Sequence, residues 1–263
     1  MKRTIRTFLN KRGYEIIKQD YIGDKFPNLS KENGSYFCET PIGNYYLPLQ
    51  GLEQDAVANM LVRGKYFDKQ IIEIAKKYIK ENTAVLDIGA NFGQMSIEFS
   101  KAVGPAGKVY SFEAQDVVFR LLQKNIEANK CTNVELINRA IWDKENITLY
   151  FPEPNMSGPA PYSGNYVTEA QKASPVQSVT IDSLNIPEPI SFMKIDIEGA
   201  DIFALRGAQN TILKNKMPVI FEFSQHVQAD FNTSFQDYVS FTESINYQFA
   251  EIVMEYNYLI IPK

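Results

Sequence analysis

Five carboxylates stand where short apolar runs break or end. They are Asp87 in Ala84-Val-Leu-Asp-Ile-Gly-Ala-Asn-Phe-Gly93, Glu113 closing Lys108-Val-Tyr-Ser-Phe-Glu113, Asp196 and Glu198 in Phe192-Met-Lys-Ile-Asp-Ile-Glu-Gly199, and Glu222 in Val219-Ile-Phe-Glu-Phe223. Burying a charge without a partner is costly, so Glu222 is expected to face a polar cleft or to pair with a lysine. Gly89 and Gly93 let the backbone turn sharply beside Asp87 and approach a ligand closely. Glu113 follows those glycines by about 20 residues, where a carboxylate can accept hydrogen bonds from ribose hydroxyls. Asp196 and Glu198, two apart at the carboxyl end of a strand, are candidates for taking a proton from an acceptor group, as is Glu222. His226, the only histidine, follows directly and titrates in the right range for a base at neutral pH. Each acid also has an ordinary reading: a helix cap for Asp87, an exposed strand end for Glu113, a loop brace for Asp196, and a partner of the next helix for Glu198.

An adenosine-containing ligand is expected, and charge separates two candidates. The glycines are spaced G-x-x-x-G, not G-x-G-x-x-G, and residues 84–100 contain no Lys or Arg. A carboxylate at the mouth of the turn repels a pyrophosphate by roughly 4 kcal/mol at about 4 Å and an effective dielectric near 20. The same carboxylate attracts the ammonium of S-adenosylmethionine, directly or through water. An NAD(P)-dependent oxidoreductase is the second reading, favoured if a basic residue from elsewhere neutralises Asp87. A catalytically silent module that keeps the nucleoside pocket is the third.

The elements that must position these residues alternate. Apolar periodicity predicts helices from residue 68 to the first strand, over residues 92–103, and from Val117 to Ala128. Strands are expected at residues 134–137, 147–151, 176–181, 192–197 and 219–223, which together imply a mainly parallel sheet with helices on both faces. Aromatic-rich strands at residues 247–254 and 258–261 read as a closing antiparallel hairpin. Residues 1–65, with Pro27, Pro41 and Pro48, read as an N-terminal extension of short strands and turns, leaving residues 66–263 as the main domain. Within it, residues 152–175 form a long irregular insertion, a candidate lid in which Tyr162 and Tyr166 are placed to stack on a sugar ring. Residues 4–18 carry apolar side chains among Lys and Arg, as a surface helix or an amphipathic arm would.

With 263 residues, 44% of them apolar, the chain can bury one substantial core, and no apolar run approaches a membrane span. Cys38 and Cys131 lack metal or redox spacing, and the N-terminus lacks an apolar signal region, so a cytoplasmic location is the default expectation. A formal charge of −4 gives no reason to expect a nucleic-acid partner.

Val85-Leu-Asp-Ile-Gly-Ala-Asn-Phe-Gly93, Phe112-Glu-Ala114, and Thr180-Ile-Asp-Ser-Leu184 followed by Met193-Lys-Ile-Asp-Ile-Glu-Gly-Ala-Asp201 together resemble the FkbM family of S-adenosylmethionine-dependent methyltransferases. The resemblance covers about residues 60 to 225, and its third segment is the specific one. It implies a class I methyltransferase fold, Rossmann-like, with seven strands. It also implies that Asp87, Gly89, Ala90, Asn91, Gly93 and Gln94 surround the methionine moiety, with Glu113 and Ala114 at the ribose. By the same resemblance Arg139, Ala140 and Ile141 lie beside the adenine, and Asp196 faces the transferred methyl. Such enzymes act mostly on hydroxyls of sugars and secondary metabolites, so the expected partner is a small-molecule or glycan hydroxyl acceptor. Asp196, Glu198 and Glu222 could instead hold Mg²⁺, which favours oxygen ligands, although no metal is expected to be required.

Overall fold

The computed structural model describes residue 22 and residues 25–154, 161–167, 174–254 and 256–263. The expected helix over residues 4–18 lies outside the described residues. At the centre of the main sheet is β4 (Ala84–Ile88), a run so apolar that every residue is buried. Alternate side chains of a strand point to opposite faces, and here both faces are covered. Ala84, Leu86 and Ile88 pack with Ile202 and Leu205 of α5 (Asp201–Gly207) and Phe241 of α6 (Phe235–Ser244). Val85, on the other face, packs with Ile72 and Ala75 of α2 (Lys69–Tyr78) and Met95 and Phe99 of α3 (Gln94–Val103).

Flanking β4 are β5 (Lys108–Phe112) with β6 (Val134–Ile137) on one side, and β10 (Ile190–Ile195) with β11 (Val219–Glu222) on the other. All of these neighbours run parallel. The C-terminal hairpin, β12 (Tyr247–Met254) and β13 (Asn257–Pro262), completes the sheet in the order β12-β13-β11-β10-β4-β5-β6. Only β13 runs against the rest, inserted between β11 and β12. This is the expected seven-stranded, mainly parallel class I methyltransferase sheet with a closing hairpin. Several boundaries differ from expectation by one or two residues, and two of them bear on the site. β10 stops at Ile195, so Asp196 and Glu198 lie in the loop beyond it, and the strand expected at residues 176–181 is β9 (Ser174–Val179).

Two smaller sheets accompany the main one. β7 (Ala140–Ile141), β8 (Thr148–Phe151) and β9 form one, in the order β7-β9-β8. The other is the antiparallel meander β1 (Leu29–Glu32), β2 (Ser35–Thr40) and β3 (Gly43–Leu47), followed by α1 (Ala56–Val62). The meander docks on α4 (Asp116–Ala128) through two asparagine side chains. Asn125, fully buried, bonds both the N–H and the carbonyl of Tyr46, and Asn129 does the same for Asn44. These amides satisfy the open edge of β3, and Tyr45 and Leu47 bury in one cluster with Phe92, Leu122 and Ile126.

Candidate active site

A cavity of about 450 Å³ opens at the carboxyl ends of β4, β5, β10 and β11, where open α/β sheets place ligands. Gly89 makes its floor possible. Its φ is +78°, and a Cβ there would lie 1.9 Å from the carbonyl oxygen of Asp196, so only glycine lets the two strand ends meet.

Glu113 closes β5 and faces the cavity, 8% exposed. Its carboxylate accepts the N–H of Asn91 (2.9 Å) and of Gln115 (2.8 Å), which ties the glycine turn to the start of α4. Burial pushes its proton affinity up to about 7, against those two donors. Ala114, Arg139, Ala140 and Ile141 continue the same wall, with Val118. Gly89, Ala90, Asn91 and Gln94 also line the cavity, although the Gln94 amide is spent on the N–H and carbonyl of Phe67. Gly93 sits outside the lining, at the start of α3, where a Cβ would meet Leu122 at 2.6 Å.

The placement of Asp87 corrects the sequence reading. It is fully buried and absent from the cavity wall, because it shares the face of Val85 beneath α3. The register sets Asp87 opposite Lys194 of β10 and Ser111 of β5. Ser96 donates to its Oδ2 (2.5 Å), and Ser111 to Ser96 (2.8 Å). Lys194, 3% exposed, lies 3.6 Å from Asp87 Oδ1 and 3.3 Å from Asp196 Oδ2, and donates to the Gly89 carbonyl at 2.7 Å. Burial opposes its charge, but Asp196 and Asp87 prevail and hold the ammonium up to about 12. Lys194 is thus the neutralising base that the sequence near the turn does not offer.

Acids gather at the far end of the cavity. Carboxylate oxygens of Asp196, Glu198 and Glu222 lie within 4.8 Å of one another, close enough to share one cation. Glu198 adopts the left-handed region (φ +54°), a strained conformation for a non-glycine residue and one that concentrates at functional sites. Burial, then Asp196 and Asp201, push Glu198 up to about 8. Burial, then Asp196, Glu198 and Asp201, push Glu222 up to about 10. Asp201, fully buried, accepts the N–H groups of Ile197 (3.3 Å) and Glu222 (3.0 Å) and so locks the β10 and β11 ends together. Asp68 joins this end of the cavity, pushed up to about 6 by burial and Asp196.

The structure does not bring His226 to this group. β11 ends at Glu222, and the chain turns so that Val227 and Gln228 pack on Gly199, leaving His226 exposed and bonded to Ser224 (3.1 Å). The two insertion tyrosines also part. Tyr162 is buried in the cavity wall, edge-on to Phe92, whereas Tyr166 leans on Phe231 and bonds Asp230 away from the cavity. Asp55, fully buried, holds this stretch in place. One oxygen caps α1 through Ala58 N–H (3.0 Å), and the other accepts the N–H groups of Tyr162 (3.1 Å) and Ser163 (2.9 Å).

Sequence reading missed Lys194, Asp68, Gln115 and Asp55. Only Lys194 carried a signal, being a charge inside an apolar strand that requires a partner.

Comparison with known proteins gives the following. A model of the FkbM methyltransferase domain matches residues 87–249, well over half of the chain. A "Probable cobalt-precorrin-6B C(15)-methyltransferase (decarboxylating)" from Sulfolobus acidocaldarius is 32% identical over 68 residues, 26% of this chain and 35% of that protein. A tRNA (adenine(58)-N(1))-methyltransferase catalytic subunit from Yarrowia lipolytica is 29% identical over 89 residues, 32% of this chain and 23% of that protein. The chain therefore spans about a third or less of the curated relatives it matches. Among solved structures, a methyltransferase FkbM from Methylobacillus flagellatus aligns with a TM-score of 0.47 at 16% identity, covering 78% of this chain and 52% of that one. The family match begins at Asp87, beneath the glycine turn, and takes in Glu113, Asp196, Glu198 and Glu222; the chain belongs to the FkbM methyltransferase family.

Proposed function

We propose that the protein transfers a methyl group from S-adenosylmethionine to a hydroxyl of a small molecule, sugar or glycan. The observation that carries this reading is one continuous cavity with a nucleoside-like wall at one end and clustered acids at the other. Glu113, Ala114, Ala140 and Ile141 offer a ribose acceptor and an apolar slot for a purine. Asp68 and Asp196 suit a cationic methionine end and disfavour a pyrophosphate. They take over the charge selection that Asp87, paired with Lys194, does not exert.

When bound, S-adenosylmethionine supplies an electrophilic methyl group on a sulfonium. The chain's own residues align the acceptor and manage its proton. Asp196, held by Lys194, faces the acceptor. Glu222, protonated at neutral pH by its surroundings, donates a hydrogen bond that orients the acceptor. Glu198 has a proton affinity matched to neutral pH, so its ionised form accepts the hydroxyl proton as the oxygen–carbon bond forms and later releases it to solvent. Tyr162 and Ser163, pinned by Asp55, cover the site against water.

In this reading residues 66–263 form the catalytic domain, and residues 1–65 supply α1 and the wall that anchors the insertion. Lys194 already places a cation beside Asp196, so the chemistry is assigned without Mg²⁺. The acidic lining also disfavours a phosphate-rich acceptor such as nucleic acid. Among the described residues no helix is long and apolar enough to cross a membrane. Cys38 and Cys131 are free thiols, which agrees with a cytoplasmic setting. Calorimetric titration tests the cofactor: saturable binding of S-adenosylmethionine is expected, and binding of NAD in its place would overturn the reading.

A further inference from the structure

The C-terminal hairpin brings Tyr256 and Asn257 to the acid end of the cavity. The Tyr256 carbonyl accepts the N–H of Phe223 at 2.7 Å, and Asn257 pairs with Glu222 in the register of β11 with β13. Residues directly opposite in an antiparallel pair share a face, with Cβ atoms about 5 Å apart, so Glu222 and Asn257 project side by side. Asn257 is 7% exposed, yet its amide makes no hydrogen bond among the described residues. Unlike Glu222 Oε2, that amide is not sealed from the cavity it lines. A buried amide without partners is destabilising, so a ligand group that can accept from it or donate to it belongs there. Tyr256 is the opposite case: it is 50% exposed where the wall meets solvent, and its ring stacks on no other among the described residues. The cations of the lining are engaged elsewhere. Lys194 is spent on Gly89 and the flanking acids, and Arg139 bonds the Asn138 carbonyl.

We propose that Tyr256 and Asn257 form an acceptor subsite that takes an uncharged, saturated ring carrying a vicinal diol. This rests on the proposed methyl transfer to a hydroxyl. One hydroxyl of the diol lies among Asp196, Glu198 and Glu222 and receives the methyl group. Its neighbour meets the Asn257 amide, which can donate to it or accept from it. Tyr256 lies against the C–H face of the ring. Acids without a free cation beside them exclude a uronate or a phosphorylated sugar. An aromatic diol would set ring C–H edges against the acid cluster and leave polar groups unpaired. The diol is a requirement of Asn257, which the acids alone do not impose.

Rates of methyl transfer to neutral methyl pyranosides (gluco, galacto, manno, fuco and rhamno), to the uronates of the first three and to catechol read the acceptor class in the wild-type protein. At least one neutral pyranoside is expected to be methylated, with kcat/KM about tenfold or more above any uronate. In that sugar, replacing the hydroxyl next to the methylated one by hydrogen is expected to cost the wild type about tenfold in kcat/KM, and Asn257→Ala nothing further. Tyr256→Ala is expected to raise KM roughly tenfold while calorimetry finds its affinity for S-adenosylhomocysteine unchanged. Preference for a uronate or catechol would overturn the inference. So would a deoxy penalty that persists in Asn257→Ala, or a KM that Tyr256→Ala leaves in place. Methylation of nothing in the panel by protein that binds S-adenosylmethionine would overturn it too. Failure to bind S-adenosylmethionine at all would remove the methyl-transfer reading itself, a different result from binding without these acceptors.

Discussion

Replacing Glu222 by Gln should make the protein more stable, by an amount that grows with pH. In the fold the Glu222 Oε2 is buried without a hydrogen-bond partner among the described residues. Burial first, and then Asp196, Glu198 and Asp201, raise the group from an ordinary 4.5 to about 10. The folded state therefore keeps a proton that the unfolded chain releases. Below pH 4.5 both states hold that proton and the contribution to stability is fully present; it is lost as pH rises toward about 10. The slope is about 1.4 kcal/mol per pH unit. Glutamine has the shape of the protonated acid and nothing to release. E222Q should thus equal the wild type near pH 4.5 and exceed it by roughly 2–3 kcal/mol at pH 7, allowing for residual hydration at the cleft. Urea unfolding of both proteins at pH 5, 7 and 8.5 measures the difference, in which all other titrating groups cancel. A pH-independent difference, or a variant less stable than the wild type at pH 7, would show that Glu222 is ionised in the fold and would refute the reasoning. The same variant should keep most of its turnover, because the glutamine amide can donate the hydrogen bond that the protonated acid gives.

Lys194→Met leaves Asp87 buried without a counter-charge and should cost about 3–5 kcal/mol in urea unfolding, most of it recovered by adding D87N; no recovery would sink the pairing. With Glu198 as the base, kcat should climb with pH and level above about 8, and E198Q should abolish that limb while lowering kcat about 10²- to 10⁴-fold. A profile unchanged in E198Q would move the base elsewhere. Chelator should leave the rate unaltered, and a loss reversed by Mg²⁺ would assign Asp196, Glu198 and Glu222 to a metal.

Most of the fold was legible because the apolar runs of β4, β5, β10 and β11 admit little besides buried parallel strands, and the intervening periodicity marks the helices. The pairing of Asp87 with Lys194 was not, since it depends on register between strands remote in sequence. Proximity to the glycines suggested that Asp87 meets the ligand, whereas the alternation of side chains along β4 turns it under α3. Asp196, Glu198 and Glu222 could be listed from their strand ends, but their convergence depends on Gly89 admitting the Asp196 carbonyl and on Asp201 clasping two loops. His226 was adjacent in sequence only. Asp55 looked like an ordinary polar residue, because what singles it out is complete burial at a junction of distant segments.

Methyl transfer to oxygen is tested most directly by the product. Extracts incubated with the protein and S-adenosylmethionine carrying a ¹³C-methyl group, resolved by mass spectrometry and then by NMR, show which atom bears the label. The account predicts a labelled methyl with the downfield carbon shift of a methyl ether on a hydroxylated small molecule or glycan. A labelled methyl on nitrogen or carbon, or label found in RNA, would contradict it.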